Sequence, residues 1–449
     1  MDRRRFVQSL AGAAVLAAVP GCGTPPPARP GPRRRPNVLL IMADDLGYGD
    51  LGVTGRTDYA TPVLDRLARE GVQLTQAYSS APVCTPTRVA LLTGRYPART
   101  RAGLFEPLTT HPDGLDPDPP TLGRLMRDAG YETALVGKWH LGTLPPFHPL
   151  RHGFDEFYGL LGAAADYTSH LDTESLQNLF QDGTETVRTE GYLTDLFTER
   201  AVRIVTRARS KPLFLNLQYN APHWPWQGPG DPPYPDSLRW SRGGSPETYG
   251  RMVASMDAGV GRVLDALRQA GMEGDTLVIF TSDNGGERFS HMGPFSHGKM
   301  TLYEGGIRVA AMARWPGTIP AGIQTSHVAV TMDWTATLAT LAGAQPPPSA
   351  PFDGIDLMPA LKGYRIRAHP RDLYWRISQR RRQKALRSGD WKYLRTEEDG
   401  ELLFDLAADP GETRDLKADR PDVLAQLTAK YAAWEREVLQ PLALDPARA

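Results

Sequence analysis

Asn37-Val38-Leu39-Leu40-Ile41-Met42-Ala43 runs straight into Asp44-Asp45, and this junction of an apolar run with paired acids decides the fold. An unbroken apolar stretch suits a strand covered on both faces of a parallel sheet, because both rows of side chains then meet protein. Open α/β sheets hold their ligands beyond the carboxyl edge of such strands. Asp44 and Asp45 therefore stand where a cation site is expected, against the plainer alternative of a solvated turn.

Outward from this strand the same grammar repeats. Residues 61–71 open with Thr61-Pro62 and close at Gly71, which predicts a helix. A helix over 121–130 leads to a strand over 131–140, and Lys138 and His140 share a side if that strand continues. An amphipathic helix at 194–209 precedes a strand at 211–219, which delivers Asn220-Ala-Pro-His223-Trp-Pro-Trp226. A long helix at 246–271 precedes a strand at 275–282, which ends in Asp283-Asn284-Gly285-Gly286. A further strand is predicted at 305–315, with Lys299 just before it. After the proline-rich 345–351, four short segments with turn residues between them suggest a small antiparallel sheet, and 421–438 a last helix. The expected architecture is α/β, with a large mixed, mainly parallel sheet flanked by helices across 37–360. A C-terminal α+β subdomain at 365–440 carries the antiparallel sheet.

Toward the other end, Arg3-Arg4-Arg5 stands ahead of the short apolar run 10–19, so residues 1–21 resemble a twin-arginine export signal. Val19-Pro20-Gly21-Cys22 resembles a lipoprotein cleavage site at which Cys22 would be lipidated, and 22–36 reads as a Pro/Arg-rich tether. The expected location is periplasmic or at the cell surface, with export by the twin-arginine machinery. Basic and acidic residues number 51 each, so no global field favours nucleic acid or an anionic membrane. Two cysteines, Cys22 and Cys84, exclude a disulfide framework and a cysteine zinc cluster.

Cys84 opens the segment Cys84-Thr-Pro86-Thr-Arg88-Val-Ala-Leu-Leu-Thr-Gly94, read as a helix with a first-turn proline and a stop at Gly94. A lone cysteine is most often a small buried hydrophobe. Its company argues otherwise. Four strand ends bring Asp44 and Asp45, Lys138 and His140, His223, and Asp283 with Asn284 to one edge. Three carboxylates and an amide oxygen suit Ca²⁺ or Mg²⁺ rather than zinc. Arg88, Lys138, His140, His223 and Lys299 suit a tetrahedral anion.

Cys84-Thr-Pro86-Thr-Arg88 with Leu92-Thr-Gly94-Arg resembles the first signature of the type I, formylglycine-dependent sulfatases of the alkaline phosphatase-like superfamily. Gly137-Lys138-Trp-His140-Leu-Gly142 resembles their second signature, and the likeness extends over most of 37–420. The resemblance implies that a maturation enzyme oxidises Cys84 to formylglycine (3-oxoalanine), whose hydrate attacks the sulfur of a sulfate ester. It implies Asp44, Asp45, Asp283 and Asn284, with the converted Cys84, as metal ligands for Ca²⁺ or Mg²⁺. Arg88 would hold the attacking hydroxyl, and Lys138, His223 and Lys299 the sulfate oxygens. His223 or Lys299 would protonate the leaving alcohol, and His140 would take the proton from the second hydroxyl. The stretch Phe147-His-Pro-Leu-Arg-His-Gly-Phe154 resembles arylsulfatase and N-acetylgalactosamine-6-sulfatase relatives, so a sulfated glycan or an aryl sulfate is the expected substrate. The alternatives are a formylglycine-dependent phosphodiesterase or phosphonate monoester hydrolase, and an exported carbohydrate-binding pseudoenzyme.

Overall fold

The computed structural model describes residues 35–106, 108, 112–234, 243–364, 371–378 and 381–442. The expected export signal, Cys22 and nearly all of the tether lie outside the described residues. Strands run in chain order as β1 (Asn37–Ala43), β2 (Val72–Leu74), β3 (Ala77–Tyr78), β4 (Glu132–Lys138), β5 (Glu156–Leu160), β6 (Phe180–Asp182), β7 (Glu185–Thr186) and β8 (Leu213–Gln218). They continue as β9 (Thr276–Ser282), β10 (Ala311–Arg314), β11 (Ile323–Thr325), β12 (Ala329–Val330), β13 (Asp372–Ile377), β14 (Gln383–Ser388), β15 (Trp391–Thr396) and β16 (Gly400–Asp405). The helices are α1 (Pro62–Arg69), α2 (Cys84–Thr93), α3 (Leu122–Asp128), α4 (Leu193–Thr206), α5 (Pro246–Gln269), α6 (Glu304–Ile307), α7 (Thr331–Ala342), α8 (Met358–Leu361) and α9 (Pro421–Glu435).

Ten strands form one mixed sheet in the order β11-β2-β10-β9-β1-β8-β4-β5-β6-β7. Its four central strands, β9, β1, β8 and β4, are mutually parallel. Their carboxyl ends therefore reach a common edge, and that edge carries the site. Alternation along β1 shows why the run had to be apolar throughout. Leu39, Ile41 and Ala43 pack in one core with α1, α4 and α5, whereas Val38, Leu40 and Met42 pack in a second with α2, α3 and α7. The fold class expected from the sequence is the one observed.

The antiparallel sheet β13-β14-β15-β16 forms as predicted, and α9 packs against it. Trp375, Leu386, Leu394, Leu403, Tyr431 and Trp434 join Tyr78, Ala90 and Leu302 in a third core. A buried ionic network ties this sheet to the rest. Lys392 Nζ on β15 lies 3.0 Å from Glu304 Oε1 and 2.7 Å from Glu412 Oε1, and Tyr78 donates its hydroxyl to Glu304 Oε2 at 2.7 Å.

Two local expectations are corrected. The strand predicted over 305–315 is β10 alone, and its first part is the short helix α6. Backbone packing explains this, since a Cβ on Gly285 would lie 1.9 Å from Gly305 O, an approach closed to larger residues. The strand expected over 131–140 ends at Lys138, and His140 turns into the left-handed region at φ 58°. Lys138 and His140 are therefore not neighbours on one strand face. Among the described residues no helix is long and apolar enough to cross a membrane.

Candidate active site

Helix α2 begins at Cys84 and ends at Thr93, capped by Gly94, whose φ of 68° closes the last turn where a side chain would be strained. The helix is buried along its whole length, and its first residue faces the end of β1. Cys84 Sγ lies 3.3 Å from Asp44 Oδ1 and 3.9 Å from Asp45 Oδ1. Burial pushes the thiol well above its usual range, and the charges of Asp283 and Asp44 push the same way. An unmodified Cys84 thus stays a protonated, weak nucleophile.

Around it, carboxylates and cations interlock. Lys138 Nζ at the end of β4 bonds Asp44 Oδ2 at 2.5 Å, and Arg88 Nη2 reaches Asp283 Oδ2 at 2.9 Å and Asp44 Oδ1 at 3.5 Å. Lys299 Nζ bonds Asp45 Oδ2 at 2.6 Å and lies 3.1 Å from Glu287 Oε1. Asn284 donates its amide to Asp45 Oδ1 at 2.7 Å, and the Asp45 N–H donates to Asp283 Oδ1 at 3.1 Å. Burial raises the Asp44 carboxyl, but Lys138, His223 and Arg88 outweigh it and hold it well below its usual range. Burial and the charge of Asp44 instead push Asp283 up to about 7.

The histidines differ in setting. His223 follows β8 in the turn that begins at Asn220, and Tyr167 Oη lies 2.8 Å from Asn220 O and 2.9 Å from His223 O. Its Nδ1 is 2.5 Å from Trp224 O, so this nitrogen carries the hydrogen, and Nε2 faces Asp45 Oδ2 at 3.6 Å. Burial, then Lys138 and Lys299, pull its pKa to about 3. His140 Nε2 meets Leu108 O at 2.7 Å, so Nε2 donates and Nδ1, buried and without a partner among the described residues, presents a lone pair.

A divalent cation fits this donor set. Ligand atoms of Asp44, Asp45, Cys84 and His223 lie within 4.8 Å of one another, and Asn284 Oδ1 is buried without a hydrogen bond among the described residues. Oxygen donors dominate, as a hard cation requires. The geometry thus draws together the acids, Lys138, Lys299, Arg88 and His223 foreseen from sequence. His140 is held to a neighbouring segment through Leu108.

Sequence reasoning missed three participants. Gln218 Oε1 accepts from Arg88 Nη1 at 3.0 Å, and the Gln218 amide donates to Asn216 Oδ1. A signal existed, since Asn216 and Gln218 are alternate residues of an otherwise apolar strand and so share a face. Glu287, paired with Lys299, had no such signal.

Comparison with known proteins agrees with this layout. The sulfatase family model matches residues 36–344, and the C-terminal model of N-sulphoglucosamine sulphohydrolase matches 295–436. N-acetylgalactosamine-6-sulfatase of Sus scrofa is 37% identical over 365 residues, covering 75% of this chain and 67% of that protein. Steryl-sulfatase of Mus musculus is 34% identical, with 93% of this chain and 84% of that protein covered. The crystal structure of Ps i-CgsB in complex with k-i-k-neocarrahexaose superposes with a TM-score of 0.84 at 31% identity, over 92% of this chain and 96% of that one. With a family model spanning more than half of its length and relatives alike nearly end to end, this chain belongs to the sulfatase family of sulfuric ester hydrolases.

Proposed function

We propose that the protein hydrolyses sulfate esters of a glycan or an aryl alcohol, with Cys84 as the precursor of the catalytic group. The observation that carries this reading is the position of Cys84 Sγ, 3.3 Å from Asp44 at the start of a buried helix and ringed by three carboxylates and three fixed cations. With Glu287 beside Lys299, four carboxylates stand against three cations, so a bound divalent cation leaves the centre with a net positive charge suited to a sulfate monoester anion. Asp44, Asp45, Asp283 and Asn284, with the converted Cys84, would hold Ca²⁺ or Mg²⁺. When bound, the metal supplies Lewis-acid activation, and formylglycine supplies an oxygen nucleophile in place of sulfur.

The chain's own residues do the rest. Arg88, fixed by Asp283 and Gln218, orients the attacking oxygen. Lys138, Lys299 and His223 hold the sulfate oxygens, where preorganised positive charge offsets the charge that develops on transfer. Either Lys299, or His223 once protonated at Nε2, delivers the proton to the leaving alcohol. His140 accepts one at Nδ1, the ring nitrogen left free by the bond to Leu108 O.

The same reading includes an exported protein with a twin-arginine signal over 1–21, a lipid anchor at Cys22, and a partner enzyme that converts Cys84. It divides the mature chain into a catalytic domain at 37–360 and a subdomain at 365–440, in line with two separate main sheets. The decisive experiment compares turnover of 4-nitrophenyl sulfate with that of an aryl phosphodiester, using protein coexpressed with a formylglycine-generating enzyme. Preference for the sulfate is expected. A strong phosphodiester preference would replace the sulfatase reading with a phosphodiesterase one, and a persistent Cys84 thiol with no turnover would favour a binding protein.

A further inference from the structure

The four-stranded sheet carries charge that the hydrolytic site does not use. Arg376 lies opposite Lys384 in the register of β13 and β14, and Lys384 lies opposite Arg395 in that of β14 and β15. Directly opposed residues on antiparallel strands project from the same face, so three cations stand abreast across three strands. Like charges in this relation destabilise a sheet, and such a row needs an anion to offset it. Glu401 on β16 lies opposite Arg395 and offsets that end of the row, and for the other two cations the anion is Glu435 of α9. Its carboxylate lies 2.7 Å from Lys384 Nζ and 3.9 Å from Arg376 Nη1.

Arg376 is the most telling member of the row. Its side chain is 3% exposed, and Nη2 donates to Leu439 O at 2.6 Å. Nη1 is buried and makes no hydrogen bond among the described residues. A guanidinium nitrogen at such depth that makes no hydrogen bond among the described residues, with the Glu435 carboxylate no nearer than 3.9 Å, is costly unless a ligand completes it. All three cations line one cleft of about 1100 Å³ between the sheet and the end of α9. Arg382 and Arg436 add to its wall, against Glu397 and Glu435 as the acids. The cleft exceeds the roughly 300–1,000 Å³ of a pocket for a drug-sized molecule, so it has room for more than one sugar ring. Gln383 and Ser378, also in its lining, anchor it to the main body. Gln383 accepts from the N–H of Leu302, three residues beyond Lys299, at 2.7 Å, and the Ser378 N–H donates to Glu106 at 2.7 Å.

We propose that this cleft is a second anion-binding site, which takes a sulfate or carboxylate borne by another sugar of the glycan whose ester is cleaved. Planar guanidinium groups match the oxygens of both anions. That the ligand is a glycan rests on the sulfatase reading, whereas the preference for anions rests on the cleft alone.

The test uses the full chain with unmodified Cys84, which binds a substrate without consuming it. Affinity for a chondroitin 6-sulfate decasaccharide is measured by titration calorimetry at low and high salt, for the parent, for Arg395→Gln and for Lys384→Gln/Arg395→Gln. About tenfold weaker binding is expected for the double variant, as when charge-assisted contacts are lost. A weaker salt dependence should accompany it. Thermal midpoints should stay close to that of the parent, because relief of the like charges offsets loss of the Lys384–Glu435 and Arg395–Glu401 pairs. The converted double variant should keep kcat/KM for 4-nitrophenyl sulfate within about twofold of the parent, since small esters do not reach the cleft. Equal decasaccharide affinity in parent and double variant would overturn the proposal. So would equally tight binding of inorganic polyphosphate of matched charge, since the cleft would then not select a glycan. If the parent turns over no sulfate ester yet the variants still lose decasaccharide affinity, the hydrolase reading fails and the cleft stands.

Discussion

Replacing Gln218 with leucine tests whether Arg88 is held for catalysis or merely buried. Gln218 is 3% exposed, and its Oε1 is one of two acceptors on Arg88 Nη1, the other being Lys138 O at 3.2 Å. Arg88 Nε already lacks a partner among the described residues, so the guanidinium has no spare acceptor to turn to. Removing a hydrogen bond to a charged group costs about 1.5–3 kcal/mol. If that loss falls on the transition state, kcat/KM drops about 10- to 100-fold, at 1.36 kcal/mol per decade. The assay is steady-state hydrolysis of 4-nitrophenyl sulfate by converted protein, beside a thermal melt showing that the variant is folded. Most of the loss should appear in kcat, because in the proposed mechanism Arg88 acts on the attacking group rather than on the aryl moiety. Gln218→Glu keeps an acceptor at the same position and should recover part of the rate. A folded Gln218→Leu protein with kcat/KM within about twofold of the parent would refute the positioning argument.

Other expectations follow from the same contacts. Cys84→Ala should abolish turnover at a stability cost of about 1 kcal/mol, the scale of one lost buried heavy atom, and any retained hydrolysis would remove Cys84 from the mechanism. Dialysis against a chelator should lower both activity and thermal midpoint, with recovery on adding Ca²⁺ or Mg²⁺, and full activity after metal removal would contradict the cation site. Glu412 concerns stability: burial and the charge of Glu304 push it up to about 7, while Lys392 pulls the other way. Its folded pKa lies above the unfolded value, so its contribution is present below about pH 4.5 and lost as pH rises toward 7. Glu412→Gln should therefore gain on the parent between pH 5 and pH 8, by on the order of 1–3 kcal/mol in denaturant titrations. Parallel curves for the two proteins would show that Glu412 is ionised throughout.

What could be read in advance follows physical scale. Asp44, Asp45, Asp283 and Asn284 were legible because each ends a strand whose apolar run marks it as central, and central parallel strands share one edge. Cys84 and Arg88 were legible from a helix start and stop within one short segment. The turn at His140 was not, because it depends on the strand partner: the N–H groups of Trp139 and His140 bond Leu160 O and Leu161 O while the backbone turns. The helix within 305–315 escaped for a similar reason, as the contact of Gly285 with Gly305 joins residues whose closeness no local pattern records. Gln218 lay between these cases. Its alternation with Asn216 was visible, but its partner on α2 was not. The cationic row of Arg376, Lys384 and Arg395 depends entirely on register, which is fixed only once the hairpins close.

The burial of Cys84 turns chemistry into a question of timing. Its side chain is enclosed, with 2% of the residue exposed, by acids that follow it in the chain as well as precede it. An enzyme that must grip the cysteine and its neighbours can reach Sγ only while the segment is unfolded. Asp283 and Lys299, which close the site, are made about 200 residues after Cys84. At roughly 5–20 residues per second, that interval lasts about 10–40 s. If a partner enzyme converts Cys84 as proposed, slowing the ribosome should raise the converted fraction, and speeding the folding of the chain should lower it.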